Sequence, residues 1–104
     1  NKTLQTLAKD MQKLIDLAQL LGKNVRIEMI GRTSTGGSEK TNIILSQARA
    51  DAIRSTLISK GIKTTYLSTV ALGSKKPVNK GLSEQDKAIN RSVSFKVILT
   101  NAAD

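Results

Sequence analysis

The sequence contains no cysteine, no histidine and no tryptophan, and it has only one phenylalanine and one tyrosine. These absences exclude thiol nucleophiles, serine–histidine pairs and most zinc and copper sites. The eight aspartate and glutamate residues would have to carry any acid–base catalysis. We therefore expect that the protein is not an enzyme, that it has no catalytic residues, and that it needs neither a metal nor a cofactor.

Long apolar runs are also missing from the 104 residues. No segment approaches the roughly 18 apolar residues of a membrane span, and none has the order of a signal peptide. Residues 1–104 are therefore expected to form one small domain with an aliphatic core and without membrane insertion. The first residue is not methionine, which favours a piece of a longer chain whose targeting signal would lie upstream.

Positive charge is in excess, because 17 lysine and arginine residues face eight acidic residues and give a net charge of +9. Such a balance can indicate binding to nucleic acid or another polyanion. The basic residues are nevertheless scattered, and the densest patch, GSKKPVNKG at residues 73–81, has no aromatic side chains between its charges. We predict a lysine-rich surface without nucleic-acid binding, and a polyanion-binding role is the minor alternative.

Two long helices are predicted from apolar residues that recur every three or four positions. The first occupies residues 3–21 and ends before Gly22, and the second occupies residues 41–60 and ends before Gly61. The first helix is expected to be buried along much of its length. Its predicted stripe is Leu4, Leu7, Met11, Leu14, Ala18 and Leu21, widened by Leu17 and Leu20. The predicted stripe of the second helix is Leu45, Ala48, Ala52, Ile53 and Leu57.

Three strands are predicted from alternating or β-branched segments at residues 25–31, 64–72 and 91–99. One proline and two glycines predict a loop at residues 73–82, and a capping-box spacing predicts a short helix at residues 83–89. This order of elements indicates an α+β fold, a mixed α/β arrangement of two layers with the helices on one face of the sheet. Three strands make a small sheet, so we expect a further strand, upstream or from another chain, at an otherwise exposed edge.

The segment GRTSTGGSEKTNIILSQARA at residues 31–50 combines the features of an anion-binding site. A strand that ends at Gly31 delivers hydroxyl side chains to the carboxyl edge of the sheet, and two glycines let the backbone approach a ligand. A polar residue at the start of the next helix can cap backbone N–H groups, and an arginine two turns later can bind a carboxylate or phosphate. The candidate ligand-binding residues are Thr33, Ser34, Gly37, Asn42 and Arg49.

The same segment also fits a simpler interpretation. It would then be an ordinary glycine-rich turn, followed by a helix that Asn42 caps and in which Arg49 pairs with Asp51 or Glu39. The residue types by themselves leave both interpretations open.

The spacing G-x-T-[D]-x-x-G-x-x-x-x-N-x-x-L-S-x-x-R-A in residues 31–50 resembles the signature of the OmpA-like C-terminal domain. This family is the peptidoglycan-binding module of outer-membrane proteins, lipoproteins and flagellar-motor stator proteins. Segments at 61–62, 72–77 and 90–97 resemble its later motifs, so the resemblance covers residues 4–99. The positions that match the signature are Gly31, Thr33, Gly37, Asn42, Leu45, Ser46, Arg49 and Ala50.

This resemblance implies a βαβαβ-type mixed sheet with helices on one side and noncovalent binding of the peptide stem of peptidoglycan. In the family, an acid after the threonine pairs with the ammonium of diaminopimelate, and the arginine at the position of Arg49 pairs with its carboxylate. Thr33, Asn42 and Arg91, the first arginine of the closing asparagine–arginine motif, match further positions of the pattern. The resemblance thus implies a periplasmic domain of a Gram-negative bacterium that anchors an outer-membrane protein or another envelope complex to the cell wall.

The chain departs from the family pattern at three positions and lacks its first strand. Ser34 occupies the position of the acid, Arg32 places a further positive charge beside the site, and Ser92 replaces the second arginine. A neutral hydrogen bond in place of a charge-assisted one would weaken binding about fivefold to thirtyfold, unless Glu39 or Asp86 supplies the charge. The alternative is a degenerate module with a structural or protein-interaction role, whose partner is an envelope protein or a second copy of the chain.

Overall fold

In the computed structural model of the chain, the described residues are 2–33, 37–74 and 93–102. They form two helices, three strands and a short 3₁₀ turn. In chain order these are helix α1 (Lys2–Leu20), strand β1 (Lys23–Arg32), helix α2 (Glu39–Ser59), the 3₁₀ turn (Thr64–Tyr66), strand β2 (Leu67–Gly73) and strand β3 (Val93–Asn101). The predicted short helix 83–89, most of the predicted loop 73–82 and the start of the predicted strand 91–99 lie outside the described residues.

The three strands form one mixed sheet in the order β2–β1–β3, with β1 at the centre. β1 runs parallel to β2 and antiparallel to β3. Because a parallel pair needs a crossover connection, α2 lies between β1 and β2 in the chain. Both helices pack into one apolar cluster with the inward side of β1. The predicted α+β class, with a mixed sheet and helices on one face, is confirmed.

The core is aliphatic, as the scarcity of aromatic residues predicts. Side chains along β1 alternate between buried and exposed, with Val25, Ile27 and Met29 on the buried side as expected from the sequence. The complete buried apolar cluster is Ala8, Met11, Ile15, Ala18, Val25, Ile27, Met29, Ala50, Leu57, Ile62 and Leu67.

The buried stripe of α1 differs from the prediction. The side chains that pack into the core are those of Ala8, Met11, Ile15 and Ala18. Leu21, predicted as the last residue of the stripe, is 63% exposed, and Leu17 and Leu20, which were expected to widen it, are 52% and 83% exposed. The last turn of α1 leads directly into the exposed first residues of β1, so the sheet offers it little apolar surface. The helix is therefore buried along its middle and not along most of its length.

Helix α2 begins two residues earlier than predicted, at Glu39. Ser38 is its N-cap, because the Ser38 hydroxyl oxygen accepts the backbone N–H of Thr41 at 3.1 Å. The expectation that Asn42 caps the helix is therefore wrong. Asn42 lies in the first turn and is 8% exposed. The sequence therefore located the start of the helix near Asn42 but assigned the capping role to the wrong residue.

The buried face of α2 matches the predicted face only in part, because Leu57 is buried and Ile53 packs against the core as expected. The predicted inward residues that are exposed are Leu45, Ala48 and Ala52. The residues that are buried are Asn42, Ser46, Ala50 and Leu57. A β-carbon on Gly31 would lie only 2.1 Å from the backbone oxygen of Ser46, so helix and strand are in direct backbone contact here. Such an approach admits small side chains and excludes leucines, and the packing distance therefore selects the face.

Residues 64–66, predicted as the start of the second strand, form the 3₁₀ turn instead. Arg54 of α2 accounts for the difference. Its Nε donates to the Leu67 carbonyl oxygen at 3.1 Å, and its Nη2 donates to the Thr64 carbonyl oxygen at 3.4 Å. The guanidinium thus binds this turn to α2, and pairing with β1 begins only at Leu67, opposite Ile27.

Strand β3 forms one edge of the described sheet, and its inward side is only partly covered. Phe95, Val97 and Leu99 lie opposite the buried residues of β1, yet they are 38%, 46% and 53% exposed. A shallow apolar groove of about 210 Å³ lies between β3 and α1, where Leu7 and Leu14 line it. Among the described residues, the sheet has the exposed edge that the small strand number predicts.

Candidate functional site

The predicted site lies where β1 and β2 end side by side. Because the strands are parallel, their carboxyl ends meet at one edge, which is where ligands bind in open α/β sheets. The pairing shifts at this point, since Gly31 lies opposite Ala71 but Arg32 lies opposite Gly73. The backbone N–H of Thr33 then donates to the Gly73 carbonyl oxygen at 2.8 Å. The two strand ends are thereby fixed to each other next to the first turns of α2.

Ser46 holds α2 against this edge. Its side chain is fully buried, its Oγ accepts the backbone N–H of Gly73 at 3.0 Å, and its hydroxyl donates to the Ile43 carbonyl oxygen at 2.9 Å. The backbone of Ser46 rests directly on Gly31. One serine thus sets the helix relative to both strand ends. The sequence matched this residue only as part of the family signature and gave no sign of its positioning role.

Thr33 presents a buried hydroxyl at the same edge. The residue is 3% exposed, and its Oγ1 has no hydrogen-bond partner within the described part of the chain. Thr33 continues the inward alternation of β1, so its side chain lies on the helix side of the sheet. A buried polar group without a partner costs about 1–3 kcal/mol. A bound polar ligand can recover this free energy.

Arg49 brings a positive charge to the end of β1. It is half-buried, and its Nη1 donates to the backbone oxygen of Arg32 at 3.5 Å. Asp51 accepts a hydrogen bond from Gln47 at 2.8 Å instead. No ion pair joins Arg49 to Asp51 or to Glu39, all of which belong to the described residues. Arg49 therefore makes neither of the two ion pairs that the simpler interpretation predicts.

The side chain of Arg32 points away from the site. Arg32 occupies an outward position of β1, and its Nη1 donates to the hydroxyl of Ser94 on β3. Ser94 lies opposite Ile30, another outward residue. The expectation of a second positive charge beside the site is therefore wrong, because strand alternation carries the Arg32 guanidinium to the other face of the sheet.

Of the other predicted site residues, two lie near this edge and two lie outside the described residues. Asn42 is buried in the first turn of α2. Gly37 has a φ of +70°, immediately before the N-cap, and so turns the chain into the helix in a conformation that favours glycine. Ser34 and Arg91 are not among the described residues.

Glu39, one of the two acids that could replace the missing charge, lies at the end of β2. Its Oε2 accepts a hydrogen bond from the Ser74 hydroxyl at 3.4 Å. Its Oε1 lies 3.2 Å from the position that a β-carbon on Gly73 would occupy. In the sequence, an acid directly after a serine cap signals only a helix start. Asp86, the other candidate, lies outside the described residues.

The edge thus assembles a guanidinium, a buried hydroxyl and a carboxylate, which together suit a small ligand with charges of both signs. Within the described ranges, no three side chains of the metal-binding types cluster together. In the same part of the chain, neither helix has the length and hydropathy needed to cross a membrane.

Known proteins are similar to this chain in sequence and in fold. The peptidoglycan-associated lipoprotein of Buchnera aphidicola subsp. Baizongia pistaciae is 39% identical over 89 residues, which cover 84% of this chain and 51% of that protein. The crystal structure of the peptidoglycan-associated lipoprotein from Burkholderia pseudomallei has a TM-score of 0.75 at 26% identity, over 96% of this chain and 80% of the other. The C-terminal domain of Helicobacter pylori MotB has a TM-score of 0.74 at 26% identity, over 94% and 74%.

The chain spans about half the length of the Buchnera relative. The sequence model of the OmpA family matches residues 2–91, a range that contains both described helices, β1, β2 and the whole segment 31–50. The family match, the sequence relative and the two superposed structures agree with one another. This chain belongs to the OmpA family.

Proposed function

We propose that this chain binds peptidoglycan noncovalently and recognises the diaminopimelate residue of the peptide stem. The observation that carries the proposal is the placement of Arg49 and the partnerless Thr33 hydroxyl at one edge of the sheet. A guanidinium binds a carboxylate through two parallel hydrogen bonds. The distal end of diaminopimelate carries such a carboxylate, and the buried hydroxyl offers the same ligand one further hydrogen bond. Asn42, Gly37, Ser34 and Arg91 complete the proposed contact surface.

The relatives support the ligand class and the location. The curated relative and the Burkholderia structure are both named peptidoglycan-associated lipoproteins. We infer that the chain acts in the periplasm of a Gram-negative bacterium, where it holds an outer-membrane protein or another envelope complex to the wall. Anchoring requires binding without bond cleavage, so the proposal includes no enzymatic activity.

Sedimentation with insoluble diaminopimelate-type peptidoglycan at physiological salt tests this proposal. The wild-type chain should pellet with the wall, and Arg49→Ala should stay largely in the supernatant. Arg26→Ala is the matched control, because Arg26 lies on the other face of the sheet in a 3.9 Å ion pair with Glu28. It should pellet like the wild type. A wild-type chain that stays in solution, or equal pelleting of all three proteins, would contradict the proposal.

Ser34 favours a second candidate function. With a neutral residue at the position of the family's acid, the domain would keep the fold and serve a structural or protein-interaction role in an envelope complex. The partly covered side of β3 is a surface available for such a partner. Under this alternative, the wild type stays in solution with the wall, whereas Ser34→Asp gains the ability to pellet.

A polyanion-binding role makes a different prediction. The net charge of +9 would then drive binding, and binding would fall steeply as salt rises. It would also survive Arg49→Ala, since one charge among 17 basic residues contributes little to a diffuse attraction.

A further inference from the structure

The edge that carries Arg49 also carries a carboxylate that no family position accounts for. Glu39 accepts a hydrogen bond from Ser74 and lies against the backbone of Gly73, at the end of β2. We propose that Glu39 binds the ammonium group of the ligand and thereby replaces the acid that is missing at residue 34. This inference rests on the proposed function and adds to it the residue that selects a zwitterionic ligand end.

The position of Glu39 follows from how α2 is held. Ser46 binds the Gly73 N–H, and this contact brings the first turn of α2 over the end of β2. Ser38 already caps the helix by accepting the Thr41 N–H. The Glu39 carboxylate is therefore not needed as a cap, and it reaches the strand end instead.

The contacts of the other described acids near α2 and β1 lie away from the end of β2. Asp51 accepts a hydrogen bond from Gln47. Glu28 is paired with Arg26 on the outward side of β1. Glu39 makes no ion pair with any described residue. Its negative charge is consequently the one at this edge that a bound cation can neutralise.

The two charges contact the ends of neighbouring strands. Arg49 contacts the end of β1 and Glu39 contacts the end of β2, and neighbouring strands lie about 4.8 Å apart. An ammonium and a carboxylate on one carbon can reach both groups across this distance when each forms a hydrogen bond. Thr33 directly follows β1, and its backbone N–H donates to the Gly73 carbonyl oxygen of β2. Its buried Oγ1 has no partner among the described residues and independently indicates a bound polar group.

Two soluble stem peptides test the inference by isothermal titration calorimetry. They are identical, except that the distal ammonium of diaminopimelate is free in one and acetylated in the other. Each is titrated into the wild type, Glu39→Gln and Asp51→Asn, and a thermal melt of each protein confirms that it is folded. Asp51→Asn is the matched control, because it removes the same charge from an exposed position on the same helix.

The wild type and Asp51→Asn should bind the free peptide about fivefold to thirtyfold more tightly than the acetylated one, the difference between a charge-assisted and a neutral hydrogen bond. Glu39→Gln should lose this preference by weakening only the binding of the free peptide. A folded Glu39→Gln that keeps the full preference overturns the inference and leaves the proposed function standing. A wild type that binds neither peptide overturns both.

Discussion

Thr33 carries a hydroxyl that is buried at the end of β1 and bonded to no described residue. Buried polar side chains are nearly always hydrogen-bonded, so each exception needs a physical reason. The reason here is the position of Thr33 at the sheet edge beside Arg49, where a ligand can supply the missing partner. At this residue the fold carries a free-energy cost that the proposed ligand would remove.

Thr33→Val separates this cost from the function. Valine has the same shape without the hydroxyl, so the free energy of unfolding should stay constant or rise by up to about 1 kcal/mol, while pelleting with peptidoglycan should fall. Urea unfolding and the sedimentation assay measure the two effects. Thr69→Val is the control, because the Thr69 hydroxyl accepts a hydrogen bond from Gln47 at 2.9 Å and its loss should lower stability without affecting binding. Unchanged pelleting by Thr33→Val would count against a ligand at this hydroxyl.

Single residues were predictable from the sequence where chain spacing fixes their place. Thr33, Asn42 and Arg49 follow one strand and one helix, so their approach to a common edge can be derived from a short segment. Ser46 and Glu39 act through Gly73 and Ser74, 27 and 35 residues away. Such contacts depend on how β2 packs beside β1, and no local pattern reports them.

At the scale of the element, α2 shows where hydrophobic periodicity fails. Apolar residues occur on more than one of its sides, so the sequence alone does not distinguish the packed side. The contact between Ser46 and Gly31 decides it. The alternation of β1 was predicted correctly because it has one buried side. The start of β2 was not, because Arg54 binds the carbonyl groups of Thr64 and Leu67.

Two leucines of α2 test the assignment of its packed side. Leu57 is 0% exposed and Leu45 is 41% exposed. Leu57→Ala should lower the free energy of unfolding by about 2–5 kcal/mol, and Leu45→Ala should change it by less than about 0.5 kcal/mol. Urea denaturation of both variants measures the difference. Equal losses, or a larger loss for Leu45→Ala, would show that the side of α2 that carries Leu45 is packed against the sheet.

At the scale of the whole molecule, the helices cover the inward side of β1 but only part of the inward side of β3. The inward residues of β3 remain about half exposed, and an apolar groove separates them from α1. An exposed edge strand with apolar side chains is a template for pairing with another strand. If a further strand joins the sheet, from upstream or from another chain as expected, β3 is the edge at which it would pair.

The 104-residue chain should therefore self-associate through this edge at high concentration. Leu99→Lys places a charge on β3, where Leu99 is 53% exposed, and should shift the equilibrium toward the monomer. Ile44→Lys adds the same charge on α2, at a position that is 62% exposed, and should leave the association unchanged. Sedimentation-velocity ultracentrifugation over a concentration series gives the readout. A chain that is monomeric at every concentration would refute self-association through β3.

Recognition of the distal carboxylate of diaminopimelate by Arg49, as proposed above, can be tested with two stem peptides. Lysine differs from diaminopimelate by the absence of that carboxylate, so stem peptides of the two types isolate the contact. Calorimetry should show that the wild type binds the diaminopimelate peptide about tenfold or more tightly than the lysine peptide, and that Arg49→Ala binds both equally weakly. A wild type without this preference, or an Arg49→Ala variant that retains it, would contradict the account.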